Sequence, residues 1–154
     1  MARISREKWQ ENLETYNALI LKIFLDEGWD HVTYDRLSKE TGLRKSTLQG
    51  YYPSNKEFEN AINGKVLPIV LQHLSFENKD KLVDSWRESL SSKQFRMIMR
   101  MFVMHASKSG EEGSGKLGVQ GLINLVQHKL PEEDALLLVQ HLFGLTITEL
   151  FGIR

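Results

Sequence analysis

The stretch from Val32 to Phe58, VTYDRLSKETGLRKSTLQGYYPSNKEF, leaves its chain few ways to fold. Thr33 is a helix cap whose hydroxyl can accept a first-turn N–H, and Asp35 in that turn suits the positive end of the helix. Thr41-Gly42-Leu43 is a turn, with Gly42 free to take left-handed backbone. Lys45 to Tyr51 reads as a second short helix, and Tyr52-Pro53-Ser54 stops it. Leu37 and Leu48 are the inward residues of the pair. Upstream, Trp9, Leu13, Tyr16, Ile20, Ile23 and Phe24 form one apolar stripe at helical spacing. That spacing predicts a long first helix over Arg6 to Glu27, ended by Gly28 in left-handed backbone.

The remainder is also helical in pattern. Three prolines and eleven glycines fall at punctuation points, and no segment alternates at period two over a strand's length. A fourth helix is expected from about Asn55, carrying Phe58, Ile62, Val66 and Ile69, with Pro68 kinking or ending it. A helix around Trp86 spans Leu82 to Leu90, with a start signal near Asn78. Lys93 to Ser107 is apolar almost all round, as in a buried helix. Ser107 to Gly115 is a low-complexity loop. Two last helices follow, Lys116 to Leu130 and Pro131 to Phe151, the second with Pro131 in its first turn and Glu132, Glu133 and Asp134 at its positive end. The fold class is all-α: a three-helix helix-turn-helix head over 1–54 and a helical dimerisation or regulatory domain over 55–154.

Composition narrows the chemistry. The formal net charge is zero, yet from Thr33 to Lys56 five basic residues, Arg36, Lys39, Arg44, Lys45 and Lys56, face two acidic ones, Asp35 and Glu40. Arg3, Arg6 and Lys8 add to the basic side. A helix-turn-helix with local positive charge points to double-stranded DNA as partner. The absence of cysteine excludes disulfides, cysteine-bound zinc and thiol catalysis. His31, His73, His105, His128 and His141 are scattered without the spacing of a helical metal site. Glu132-Glu133-Asp134 is accounted for by a helix start. No catalytic triad, phosphate-cradling loop or paired-carboxylate pattern is present, so neither an enzyme nor a cofactor is expected. No apolar signal core and no membrane-length run occur, so a cytoplasmic protein is expected.

The ordered set Gly28-Trp29, Thr33, Gly42-Leu43, Thr47-Leu48 and Tyr52-Pro53-Ser54 resembles the TetR family of bacterial transcription regulators, over about residues 9 to 62. The C-terminal half is similar only in helical character. Gln49 stands where the family usually has Tyr, Arg44 where it has a small polar residue, Thr41 where it has Ala, and Asn55 where it has Lys. The resemblance implies a homodimeric repressor bound to a pseudopalindromic operator, with a small-molecule effector as an optional further partner.

Each candidate residue has a physical role. Thr33 and Thr47 suit phosphate oxygens, and Arg36, Lys39 and Lys56 supply sequence-independent attraction. Arg44, Lys45, Ser46 and Gln49 lie on the exposed face of the recognition helix. Lys45, Ser46 and Gln49 are candidates for base edges, since Gln can read adenine in the major groove. Tyr51 suits a phosphate or, equally, helix packing.

In the second domain Trp86, Phe95, Met97, Met101, Phe102 and His105 are candidates for a ligand pocket, methionine being adaptable. Ordinary core is the favoured reading of the methionines, and a short domain leaves room for a small pocket or none. Leu122, Val126, Leu138, Leu142 and Leu145 are the candidates for a dimer interface, because the last two helices carry more apolar surface than one face needs. The alternative function is a helical protein-interaction module without operator binding.

Overall fold

The computed structural model describes residues 3–108, 113 and 115–153. Apart from its ends and Gly113, the loop expected from Ser107 to Gly115 lies outside the described residues. Among the described residues the regular structure is all helical: α1 Arg6–Glu27, a 3-10 turn Trp29–His31, α2 Tyr34–Thr41, α3 Lys45–Tyr51, α4 Glu57–Ile62, α5 Val66–Gln72, α6 Lys79–Ser89, α7 Lys93–Lys108, α8 Gly115–Lys129 and α9 Ala135–Leu150. None of these helices is long and apolar enough to cross a membrane. The chain forms two compact units, which divide between Asn63 and Gly64.

The first unit is the head. Ser5 caps α1 by accepting the Lys8 N–H at 3.1 Å, and Thr33 caps α2 by accepting the Arg36 N–H at 3.1 Å. Ile20, Phe24, Leu37 and Leu48 are fully buried, so α1, α2 and α3 meet on the inward residues that the spacing selects. Gly42 closes α2 with φ 75° and ψ 4°, the left-handed conformation expected of it. Gly28 also has positive φ, 106°, but its ψ of 161° is extended. It therefore turns the chain out of α1 by a route that only glycine takes easily.

The fourth helix differs from its expected form. It begins at Glu57 rather than near Asn55, and it breaks after Ile62 rather than at Pro68. Asn63-Gly64 supplies the break, Gly64 standing at φ 78°. Pro68 then falls in the first turn of α5, where its missing N–H costs no helical bond. Phe58, Ala61 and Ile62 are buried, and α4 packs on α1. The first compact unit accordingly runs through α4, past the expected boundary at 54.

In the second unit Asn78 caps α6, its side chain accepting the Lys81 N–H at 2.9 Å. Asp134 caps α9 by accepting the Leu137 N–H at 3.1 Å. The last helix thus starts at Ala135, and Pro131 lies in the turn before it rather than in its first turn. The Glu133 N–H bonded to the Leu130 carbonyl at 3.0 Å closes that turn and ends α8. α7 packs on α5 and α8, and α9 on α6 and α8. A Cβ on Gly118 would come within 2.9 Å of the Phe102 ring, so the glycine lets α8 pass unusually close to α7.

Candidate functional site

The turn between α2 and α3 is held by side chains as well as by Gly42. The Ser38 hydroxyl donates to the Leu43 carbonyl at 2.6 Å. The Thr41 hydroxyl donates to the Leu37 carbonyl at 2.6 Å and accepts the Leu43 N–H at 3.2 Å. Thr41 therefore supplies polar partners that an alanine lacks. Beyond the turn, Leu48 is the fully buried anchor of α3. Arg44, Lys45, Ser46, Thr47, Gln49 and Gly50 are all exposed. The local sequence explains the split: one inward leucine fixes the helix, and every other residue before Tyr51 is left to solvent.

Tyr51 is half-buried and packs against α1. Its ring stacks on Trp9 with centroids 5.1 Å apart, meets the edge of Tyr16 at 5.1 Å, and its hydroxyl accepts from the Asn12 amide at 3.2 Å. Tyr52 is buried and donates to Asn17 Oδ1 at 2.6 Å. Burial first, then the neighbouring phenols of Tyr16 and Tyr51, hold its pKa well above the ordinary tyrosine value. Tyr34 donates to the Tyr52 carbonyl and lays its ring on Phe58, 4.8 Å between centroids.

Thr33 and Lys45 line one recess of about 390 Å³ together with Tyr34, Asp35 and Asn55. The Lys45 ammonium stands 5.8 Å from the centre of the Tyr34 ring, within reach of a cation–π attraction. Sequence reasoning missed Tyr34, although its place directly after the Thr33 cap was a usable signal. Arg36 is engaged within the head. Its guanidinium takes both Glu27 oxygens, at 2.8 and 2.7 Å, and Glu40 at 2.9 Å. Those hydrogen bonds, to Glu27 and then to Glu40, push its pKa further up. Lys56, by contrast, is exposed at the start of α4.

In the second unit the expected pocket residues are mostly core. Trp86, Phe95, Met101 and His105 are buried, while Met97 and Phe102 are half-buried. Trp86 meets Phe95 edge-on at 5.1 Å and Phe143 at 5.7 Å, and its indole N–H donates to Thr146 Oγ1 at 2.9 Å. An open groove of about 840 Å³ runs between α6 and α9, past Val83, Asp84, Glu133, Leu137 and His141. None of the six expected pocket residues lines it.

Residues 63–150 match a family model described as the tetracycline repressor LuxT C-terminal domain, which covers more than half of the chain. The chain belongs to the tetracycline-repressor family. No curated protein matches it by sequence. The match falls on the half in which the sequence offers only helical character, and it abuts the head in which the family pattern is legible.

In this tetracycline-repressor-type regulator the residues expected at a dimer interface are mostly buried within one chain. Leu122, Val126, Leu138 and Leu142 are buried within the second unit's own core, and Leu145 is half-buried. Helical spacing told which residues are apolar together but not which of two apolar faces turns inward. The apolar residues left on the surface of α9 and its C-terminal end are Leu136, Leu137, Ile147, Phe151 and Ile153. Leu136, Ile147 and Phe151 follow one side of the helix, with exposed Gly144 among them.

Proposed function

We propose that this regulator is a repressor that binds a pseudopalindromic operator as a homodimer, with α3 as the recognition helix. The observation that carries the reading is the division of α3, with Leu48 sealed in the head and Arg44, Lys45, Ser46, Thr47 and Gln49 all presented to solvent. A helix placed in the major groove needs such a face of hydrogen-bonding and cationic side chains. Gln49 is assigned to a base edge. Lys45 and Thr33, which share a recess at the start of α2, are assigned to phosphate. Lys56 adds charge at the flank.

Two copies are needed because one seven-residue recognition helix reads few base pairs. The face assigned to dimerisation is Leu136, Gly144, Ile147 and Phe151 rather than the buried leucines. No effector site is assigned at Trp86, because its ring and indole N–H are already taken by Phe95, Phe143 and Thr146.

The test is selection of bound fragments from random double-stranded DNA, followed by titration of the enriched fragment at several salt concentrations. A palindromic motif with affinity that falls steeply with salt is expected. Enrichment of no motif, with salt-independent retention only, refutes the reading.

A further inference from the structure

Gly50 is an anomaly that the fold does not explain. It lies inside α3, one residue before the helix ends, and it is exposed. It is not among the glycines with positive φ, so its backbone suits any residue. A Cβ built on it meets nothing within 4 Å. Glycine is the poorest helix former after proline, because its backbone loses most freedom on ordering. α3 is seven residues long, and Arg44 offers it no side-chain cap. Such a helix is least able to carry a glycine, and nothing among the described residues asks for one.

The position suggests what does. Residues four apart lie one above the other on a helix, so the outer face of α3 carries two adjoining rows, Lys45 with Gln49 and Ser46 with Gly50, and exposed Thr47 flanks the second row on its far side. The first row is tall and hydrogen-bonding. The second is nearly flat. A helix with this profile can sink one edge of its backbone against a surface while the neighbouring row reaches sideways along it.

We propose that Gly50 is a specificity-determining residue, at which the α3 backbone comes directly against a base-pair edge on the floor of the major groove. This inference rests on the operator-binding reading. The missing side chain sets how deeply the helix sits, and so brings Gln49 within reach of its base. Glycine is used where a ligand must approach the backbone closely.

The test compares wild type, Gly50→Ala, Gly50→Ser and Gly50→Leu on two DNAs: the motif enriched by wild type, and a scrambled duplex of equal length. Circular dichroism and thermal unfolding accompany each. Because alanine favours the helix, Gly50→Ala is expected to unfold at the same or a higher temperature than wild type. Its affinity for the motif is expected to fall by about tenfold or more, the usual scale for loss of one base contact, and that of Gly50→Leu further. Binding to the scrambled duplex, which reads phosphates, is expected to change by less than about twofold. Renewed selection with Gly50→Ser is expected to change the preferred base at one position of each half-site.

Motif affinity unchanged in both Gly50→Ala and Gly50→Leu overturns the inference. So does an equal loss on both DNAs, because the contact is then not with base edges. Failure of wild type to enrich any motif overturns the operator reading itself, which separates the two failures.

Discussion

The ring of Trp9 lies flat against that of Tyr51, centroids 5.1 Å apart and planes 15° from parallel. The contact joins the first turn of α1 to the last residue of α3. It holds α3 at the end opposite the Gly42 turn. Aromatic pairs of this kind contribute about 0.5–1.5 kcal/mol beyond the area they bury. A double-mutant cycle on Trp9→Ala and Tyr51→Ala, read by urea unfolding, is expected to return a coupling of about that size. A coupling of zero removes Trp9 from the support of α3.

Arg36 and Lys56 are both basic and near the proposed DNA face, yet they should behave in opposite ways. The Arg36 fork is occupied by Glu27 and Glu40, so Arg36→Ala is expected to lower the unfolding midpoint of the head. It should change the salt dependence of DNA binding little. Lys56→Ala is expected to leave the midpoint alone and to reduce the salt slope by about one. An Arg36→Ala variant with full stability and a flattened slope contradicts this division.

In the second unit the buried indole of Trp86 depends on one hydroxyl. Thr146 accepts the indole N–H at 2.9 Å and donates to the Leu142 carbonyl at 2.9 Å. Thr146→Val keeps the shape and strands the indole donor, which costs about 1–3 kcal/mol. Adding Trp86→Phe removes the stranded group, so the double variant is expected to lose less than the sum of the two single losses. Strict additivity in chemical denaturation counts against the bond.

Leucine 142 and the exposed α9 residues separate folding from assembly. Leu142 is fully buried, so Leu142→Glu is expected to unfold the second unit by placing a charge in apolar core. Ile147 and Phe151 are 39% and 78% exposed. Ile147→Glu and Phe151→Glu are expected to stay folded and to sediment as monomers with much weaker operator binding. A wild type that sediments as a monomer at micromolar concentration ends the dimer proposal.

Alkaline pH should loosen the head through Tyr52. Burial, aided by Tyr16 and Tyr51, raises its pKa in the folded chain above the unfolded value of about 10. Below that value both states hold the proton and the contribution is complete. Above it the unfolded chain releases the proton first, so stability falls as pH rises. The urea midpoint is expected to hold to about pH 9 and to drop from there to about pH 12, and Tyr52→Phe should flatten the drop while losing the bond to Asn17, worth about 1 kcal/mol. A wild-type midpoint independent of pH across that range refutes it.

The head was largely legible because its signals are local. Thr33, Gly42 and Leu48 each act on a few neighbouring residues, and the structure puts the cap, the turn and the anchor where the spacing does. The break at Asn63-Gly64 was also written in the sequence, but the regular apolar spacing of Phe58, Ile62 and Val66 concealed it. The surroundings of Arg36 were not legible for another reason. Its partner Glu27 is nine positions away on a different helix, and only the packed head brings the two together. The same holds for α9, which is apolar enough on several sides that only contact with α6 and α8 decides which side is core.

Phe58 has a second consequence. Its ring lies 4.8 Å from that of Tyr34 and 5.2 Å from that of Tyr52, so one residue of α4 backs both tyrosines that brace the start of α2 and the end of α3. The head therefore packs as a longer unit than its helix-turn-helix suggests. A genetic crossover after codon 63 passes on the tyrosines with their backing ring. A crossover after codon 54 passes on Arg44 to Gln49 without the ring that backs the two tyrosines, so a chimaera joined there is expected to have a less stable head than one joined after codon 63.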